Sequence, residues 1–449
     1  MLLTSRKKNR LAANAGGWTR AVRSLGNCVR FGTVVPSGPG LSKAEVFGIT
    51  SSRNWVEEGG GCWLPQGGLL LSLCAVFLFV FGCNIQRELE FPLNLEGRDP
   101  AEVSLLAREE ATHFLEELFG TPDYPRVPRG VSLNEKLLQM AAGEPTWQAD
   151  ERGIPSWPRG LYRQHCSVCH GIAGDGAGPA ALIMDPYPRD FRLGIFMYTS
   201  TIPGAKPRRE DIRRIIVEGM PGTAMPAFKN LLPEAIEALV EYVIYLSIRG
   251  ETELLILQAI LDEEEPLPLS FPLKERIIQE DVAWIWEQWS LPQNFPDRSV
   301  VVPPPPPPIG SRADWEASVA RGREIYLSER AQCAKCHGPE GAGDGEQAGE
   351  LYDDWNYPKR GPTPAHTAQR ARLYTLPLRA LRVRNFREGV FRGGSRPEDL
   401  YLRIAIGLKG TPMGGVGPTP ESKGALEPEE IWDLVHFVMA QAGLKPPGL

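Results

Sequence analysis

Three stretches of the chain space their apolar residues at helical intervals. Val103, Leu106, Ala107, Phe114, Leu115 and Leu118 form a stripe that follows Asp99-Pro100, carries Glu102 in its first turn and stops at Gly120-Thr-Pro. Pro233–Ile248 puts Ile236, Leu239, Val240, Val243 and Ile244 on one face, and Pro428–Ala442 does the same with Ile431, Leu434, Val435 and Val438. Glu251–Glu265 is helix-like, and a tryptophan-rich stretch (Trp284, Trp286, Trp289) follows it. Leu69–Gly82 differs from all of these. It reads LLLSLCAVFLFVFG, with no polar face, too short for the ~20 residues of a spanning helix but within the 7–15 of a secretory signal core.

That segment directs the reading of the N-terminal part. Val80-Phe81-Gly82-Cys83 resembles a bacterial lipoprotein cleavage box, with a small residue before the cysteine that would carry lipid. An uncleaved anchor and a buried core segment are the alternatives. Lipid or anchor places the body on the periplasmic side of the cytoplasmic membrane, and one acyl chain holds a protein there only marginally without a second chain or a partner. Residues 1–68 are basic at first (Arg6, Lys7, Lys8, Arg10), show no amphipathic period, and read as a leader or as translation from a start placed too far upstream.

Composition bounds the remainder. A chain of 449 residues suggests about three folded units. Its 47 glycines and 42 prolines exceed the ~12% usual for soluble proteins and stay below the ~25–30% of low-complexity chains, so it folds with many loops. A net charge of −6 weighs against nucleic acid as a partner. Pro303–Pro308 favours a polyproline II spacer roughly 19 Å long at ~3.1 Å per residue. The stretches are 1–68 (leader), 69–82 (signal or anchor), 83–150 (an arm with one helix), 151–250, 251–310 (a Trp-rich and polyproline linker) and 311–449.

The chemistry lies in the fourth and sixth stretches. Each holds one C-x-x-C-H motif, Cys166-Ser-Val-Cys169-His170 and Cys333-Ala-Lys-Cys336-His337. The pattern is that of c-type haem attachment, in which two cysteines form thioethers and the adjacent histidine is carried to the iron. Downstream the chain repeats itself. Arg189-Asp-Phe191-Arg192-Leu-Gly194-Ile-Phe196 matches Arg384-Asn-Phe386-Arg387-Glu-Gly389-Val-Phe391, and Asp211 to Met225 matches Asp399 to Met413 without a gap. Met220 pairs with Leu408 whereas Met225 pairs with Met413, so Met225 and Met413 are the shared methionines that can close the second axial position. His/Met ligation raises the reduction potential.

On these motifs the sequence resembles a tandem pair of class I cytochrome c domains, about 151–250 and 316–440. The resemblance implies an all-α fold with two covalently bound haems c, joined here by a helical and polyproline linker. It implies that His170 and His337 are proximal ligands and Met225 and Met413 distal ones. It further implies that a proline carbonyl after the glycine-rich loop, matched by Pro179, accepts the second N–H of His170. The second repeat departs from this, with an insertion at Leu351–Pro364 that lengthens His337-to-Met413 to 76 residues against 55 for His170-to-Met225. Arg189 and Arg384 are candidates for charge-assisted bonds to haem propionates, against ordinary surface pairing.

A zinc ribbon expects its two cysteine pairs ~12–20 residues apart, and here they are far more distant. A thioredoxin-like dithiol needs a βαβ context that the helical pattern denies. His113, alone in the arm helix, reads as a surface or packing residue, and so do His165 and His366, which as alternative ligands have no partner in the repeat. The expectation is a membrane-anchored carrier of single electrons between a redox donor and acceptor, such as a respiratory complex. The alternatives are a di-haem peroxidase with one open iron, and a fixed cytochrome c subunit of an oxidase or quinol-oxidising complex.

Overall fold

The computed structural model describes residues 89–445 apart from 100, 102, 150–152, 154, 263–265, 350 and 352–372. The apolar run 69–82, Cys83 and His366 lie outside these residues, as does nearly all of the insertion.

The arm opens with α1 (Leu105–Phe119), which starts one turn later than Asp99-Pro100 suggests because Ser104 caps it, its hydroxyl accepting from the Ala107 N–H at 3.1 Å. Ala107, Ala111, Phe114, Leu115 and Leu118 are buried, whereas Leu106, placed in the stripe from its spacing, is half exposed. The arm also contains α2 (Glu135–Ala141), capped by Asn134, and one strand of the antiparallel hairpin β1 (Thr146–Ala149) and β2 (Pro155–Arg159). Short α3 (Leu161–His165) and α4 (Ser167–His170) carry the first motif. After α5 (Arg209–Glu218), α6 runs from Pro233 to Leu257, past the boundary drawn at residue 250. A π turn (Gln258–Asp262), α7 (Phe271–Arg276) and the tryptophan-bearing α8 (Ala283–Asn294) follow.

All of this shares one hydrophobic core, from Phe91 through α6 to Trp289. Arm and linker are therefore walls of the first unit. The ties between them are polar and long-range, which is why periodicity misses them. The Tyr245 hydroxyl donates to the Phe119 carbonyl at 2.5 Å, and Trp289 Nε1 donates to Glu251 at 2.9 Å. The Asn94 N–H donates at 2.6 Å to Glu253, which is fully buried against Arg249.

The second unit has its own core, from Tyr326 to Met439. Helix α9 (Arg312–Leu327) packs across α12 (Pro428–Gln441), with α10 (Cys333–His337) and α11 (Pro397–Ile406) between them in sequence. No apolar stripe announces α9, because two of the three residues it buries are Ser318 and Gly322. Besides the ring contact of Tyr326 with Phe437, its contact with α12 is polar: Ser318 donates to Asp433 at 2.5 Å and lies 2.7 Å from His436 Nδ1, while two of the Arg321 nitrogens reach Asp433 at 2.7 Å.

Pro303–Pro308 adopts neither helix nor strand, and it does not hold the two units apart. The residues just before it pair with the first unit, Ile202 N–H to the Ser299 carbonyl and Val301 N–H to the Ser200 carbonyl, both at 2.8 Å. Arg214 bridges to the Gly393 carbonyl (2.9 Å) and to buried Asp399 (2.7 Å). Lys409 enters the first unit, donating to Thr201 Oγ1 at 2.5 Å and to the Ala205 carbonyl at 2.8 Å. Among the described residues no helix is long and apolar enough to cross a membrane.

Burial pushes the Lys409 ammonium down to about 7 from an ordinary 10.5, with Asp211 opposing the shift and Lys206 adding to it. Between pH 7 and 10.5 the folded protein then holds fewer protons at this site than the unfolded chain, so the lysine's contribution to stability rises with pH across that window and is flat below it. Lys409→Met should remove that slope. The difference in thermal midpoint between variant and parent, measured at pH 6.5, 8 and 9.5, should shift in the parent's favour as pH rises; a pH-independent difference contradicts the assignment.

Candidate functional site

The two motif regions are built with the same bonds. In the first, the His170 N–H closes the turn onto the Cys166 carbonyl at 2.9 Å, and His170's own carbonyl accepts from the Gly176 N–H at 2.9 Å. In the second, the His337 carbonyl accepts from Gly343 at 2.9 Å. The Tyr162 hydroxyl donates to the Gly171 carbonyl at 2.9 Å, and that of Tyr326 to Gly338 at 2.6 Å. Gly171 and Gly338 end their helices at φ 74° and 75°. A Cβ on either would lie 1.9 Å from the carboxylate of Asp175 or Asp344, so only glycine fits there.

An Arg-Asp-Phe element in the first unit and Arg-Asn-Phe in the second hold the histidines. His170 Nδ1 is 2.9 Å from the Arg189 carbonyl and His337 Nδ1 is 3.2 Å from the Arg384 carbonyl. Phe191 stacks on His170 at 4.6 Å between ring centroids, and Phe386 lies against His337 at 4.7 Å. A carbonyl partner places the proton on Nδ1, which leaves the Nε2 lone pair for a metal. This corrects one assignment. Pro179 is not the acceptor, because the Gly178 N–H binds the Cys169 carbonyl and that loop stays on the motif helix while Arg189 comes to the imidazole. Arg189 and Arg384 act on the histidines through their backbone carbonyls, and the Arg384 side chain reaches Glu388 at 3.3 Å.

Burial drives the His170 pKa down to about 4, the hydrogen bond to Arg189 only partly offsetting it, and lowers that of His337 for the same reason. Both are therefore neutral near pH 7, as ligands must be. Burial raises all four motif thiols, Cys166 to about 12 and Cys333 to about 11. The four are free thiols, and no three His, Cys, Asp or Glu side chains among the described residues cluster as a metal site.

The methionine loops also match. The Met225 N–H donates to Thr223 Oγ1 at 3.2 Å, and the Met220 N–H to the Met225 carbonyl at 3.1 Å; the Met413 N–H donates to Thr411 Oγ1 at 3.2 Å, and the Leu408 N–H to the Met413 carbonyl at 2.9 Å. In the first unit a mostly apolar cavity is lined by Cys166, Cys169, His170 and Met225, with Phe191, Ile212, Ile216 and Val243. It leaves about 190 Å³ for the centres of water-sized molecules. Two thiols, a neutral imidazole with Nε2 left for a metal, a thioether and a mostly apolar lining fit a haem c.

Three other residues of that cavity were not singled out for it. Met220 lines it beside Met225, His165 lines it with a buried Nε2 that has no hydrogen-bond partner, and Arg392 reaches it from the second unit. His165 was discounted because the repeat offers it no partner, a test that also passes over any residue serving only one cavity.

Residues 156–243 match the family described as cytochrome c oxidase, cbb3-type, subunit III. Over 98 residues the chain is 31% identical to cytochrome c55X of Paracoccus denitrificans (strain Pd 1222), spanning 22% of this chain and 79% of that protein. A chain of the Kuenenia stuttgartiensis reducing HAO-like protein complex aligns with a TM-score of 0.41 and 28% identity, over 66% of this chain and 99% of that one.

Proposed function

The chain belongs to the cytochrome c family, and from that premise we propose that it is a di-haem electron carrier, with one haem c on Cys166/Cys169 and a second on Cys333/Cys336. His170 and Met225 would ligate the first iron, His337 and Met413 the second. The observation that carries this is the duplicated bonding: each histidine is held at Nδ1 by the carbonyl of an Arg-Asp/Asn-Phe element, and each methionine sits on a Thr-capped loop.

When bound, the haem supplies a one-electron couple. The chain's part is to keep that couple's surroundings fixed. The carbonyls of Arg189 and Arg384 hold the imidazoles in one tautomer, Phe191 and Phe386 fix their ring planes, and the apolar wall of the first cavity keeps water away. If His170 and Met225 hold one iron and His337 and Met413 the other, no place would remain on either for a substrate, which favours transfer over peroxidase chemistry. In this reading the protein works on the periplasmic side of the cytoplasmic membrane, anchored through 69–82 or a lipid on Cys83, between a redox donor and an acceptor such as a membrane respiratory complex.

Carbon monoxide separates carrier from enzyme. The reduced protein should leave its spectrum unchanged under the gas at neutral pH. Binding at one haem would give that haem an open position and favour the di-haem enzyme.

A further inference from the structure

The first cavity is not walled by the first unit alone. Arg392 of the second unit lines it. It follows Phe391, at the position the repeat aligns with Met197, and Met197 lines the same cavity. The second repeat has thus placed a cation where the first has an apolar side chain, and turned it toward the other repeat's cavity.

Its surroundings leave that cation without a counterion. Arg392 Nε is buried with no hydrogen-bond partner, and no ion pair reaches the side chain among the described residues. The neighbouring arginines differ: Arg214 binds Asp399 and Gly393, Arg382 binds Asp185 at 3.1 Å, and Arg379 binds the Met184 carbonyl and covers Tyr187. Burial holds the Arg392 guanidinium below its ordinary range, with Arg384 and Arg382 repelling it and Tyr198 and Asp185 the opposing influences. Asp211, the carboxylate in the cavity wall, already accepts from Ser200 and from the Arg208 N–H. Arg392 is half-buried with its Nε enclosed, and a partly desolvated cation without a partner is costly unless an anion arrives to meet it.

We propose that Arg392 binds a propionate carboxylate of the haem in the first cavity, so that the second unit completes the first unit's cofactor seat. The inference rests on the reading of that cavity as a haem site. Guanidinium and carboxylate match as a planar two-bond pair, and a fixed cation beside the macrocycle disfavours the more positive ferric state. The position also links the two centres: Phe386 lies against His337, Phe391 lies 6.1 Å from Phe386, and the next residue is Arg392. The first haem's potential therefore depends on how the second unit docks.

The experiment uses full-length holoprotein with Arg392→Gln and Arg392→Lys, reading haem content and both midpoint potentials from pH 5 to 8. Haem content should stay at the parent's value. In the Gln variant the midpoint that Met225→Ala also moves should fall by about tenfold in the reduction equilibrium, 59 mV for one electron, and vary more steeply with pH as the freed carboxylate titrates. The Lys variant should show a smaller fall in the same direction, and it serves alone if the Gln variant does not assemble. Unchanged midpoints and pH profiles with full haem content overturn the proposal and make Arg392 a packing residue. Absence of haem from the parent's Cys166–Cys169 peptide instead overturns the functional reading beneath it.

Discussion

Replacing both Cys166 and Cys169 with alanine should halve the covalently bound haem and leave the second centre's midpoint in place. The two motif regions have separate cores, Phe91–Trp289 and Tyr326–Met439, so losing one cofactor need not unfold the other unit. The first unit should suffer, because its cavity is walled largely by apolar side chains that the flat ring would cover. Pyridine haemochrome assay per chain, with a haem stain of the denatured protein, checks the count. A variant retaining the parent's full haem content contradicts the attachment site.

Met225→Ala is the second large effect. Loss of a thioether ligand should abolish the methionine–iron charge-transfer band of the first haem and lower its midpoint by a sizeable part of the ~0.8 V range that axial ligands command. Met220 lines the same cavity, so proximity alone does not choose between the two. The repeat does: Leu408 stands opposite Met220 and makes the same backbone bond, to which a sulfur contributes nothing. Met220→Ala should therefore leave the band intact and shift the midpoint only slightly. Loss of the band in Met220→Ala and not in Met225→Ala would reverse the assignment.

The site was more legible than the fold around it. The two C-x-x-C-H motifs can be named from spacing, since covalent attachment demands a fixed local motif, and of the methionines lining the first cavity the repeat picks out Met225 alone. The repeat also singles out the Arg-Asp-Phe elements. It does not distinguish side chain from backbone, so Arg189 and Arg384 were weighed between propionate bonds and surface pairing while the role of their carbonyls, which hold the imidazoles, went unseen. Pro179 failed because loop resemblance says nothing about which carbonyl finally approaches the ring. Helix α9 buries small and polar residues, leaving no stripe to detect. The arm and the Trp-rich segment read as appendages because their attachments, Tyr245 to Phe119 and Trp289 to Glu251, join residues 126 and 38 positions apart. Arg392 was invisible for the same reason: it lines the other unit's cavity, where a comparison of matching positions does not look.

Everything proposed for this protein depends on two haems, one on each motif. Mass spectrometry of the purified protein after denaturation and proteolysis tests it most directly. The account predicts that the peptide containing Cys166 and Cys169 and the peptide containing Cys333 and Cys336 each carry one covalently bound haem. Finding either peptide with free thiols in protein exported and matured normally would contradict it.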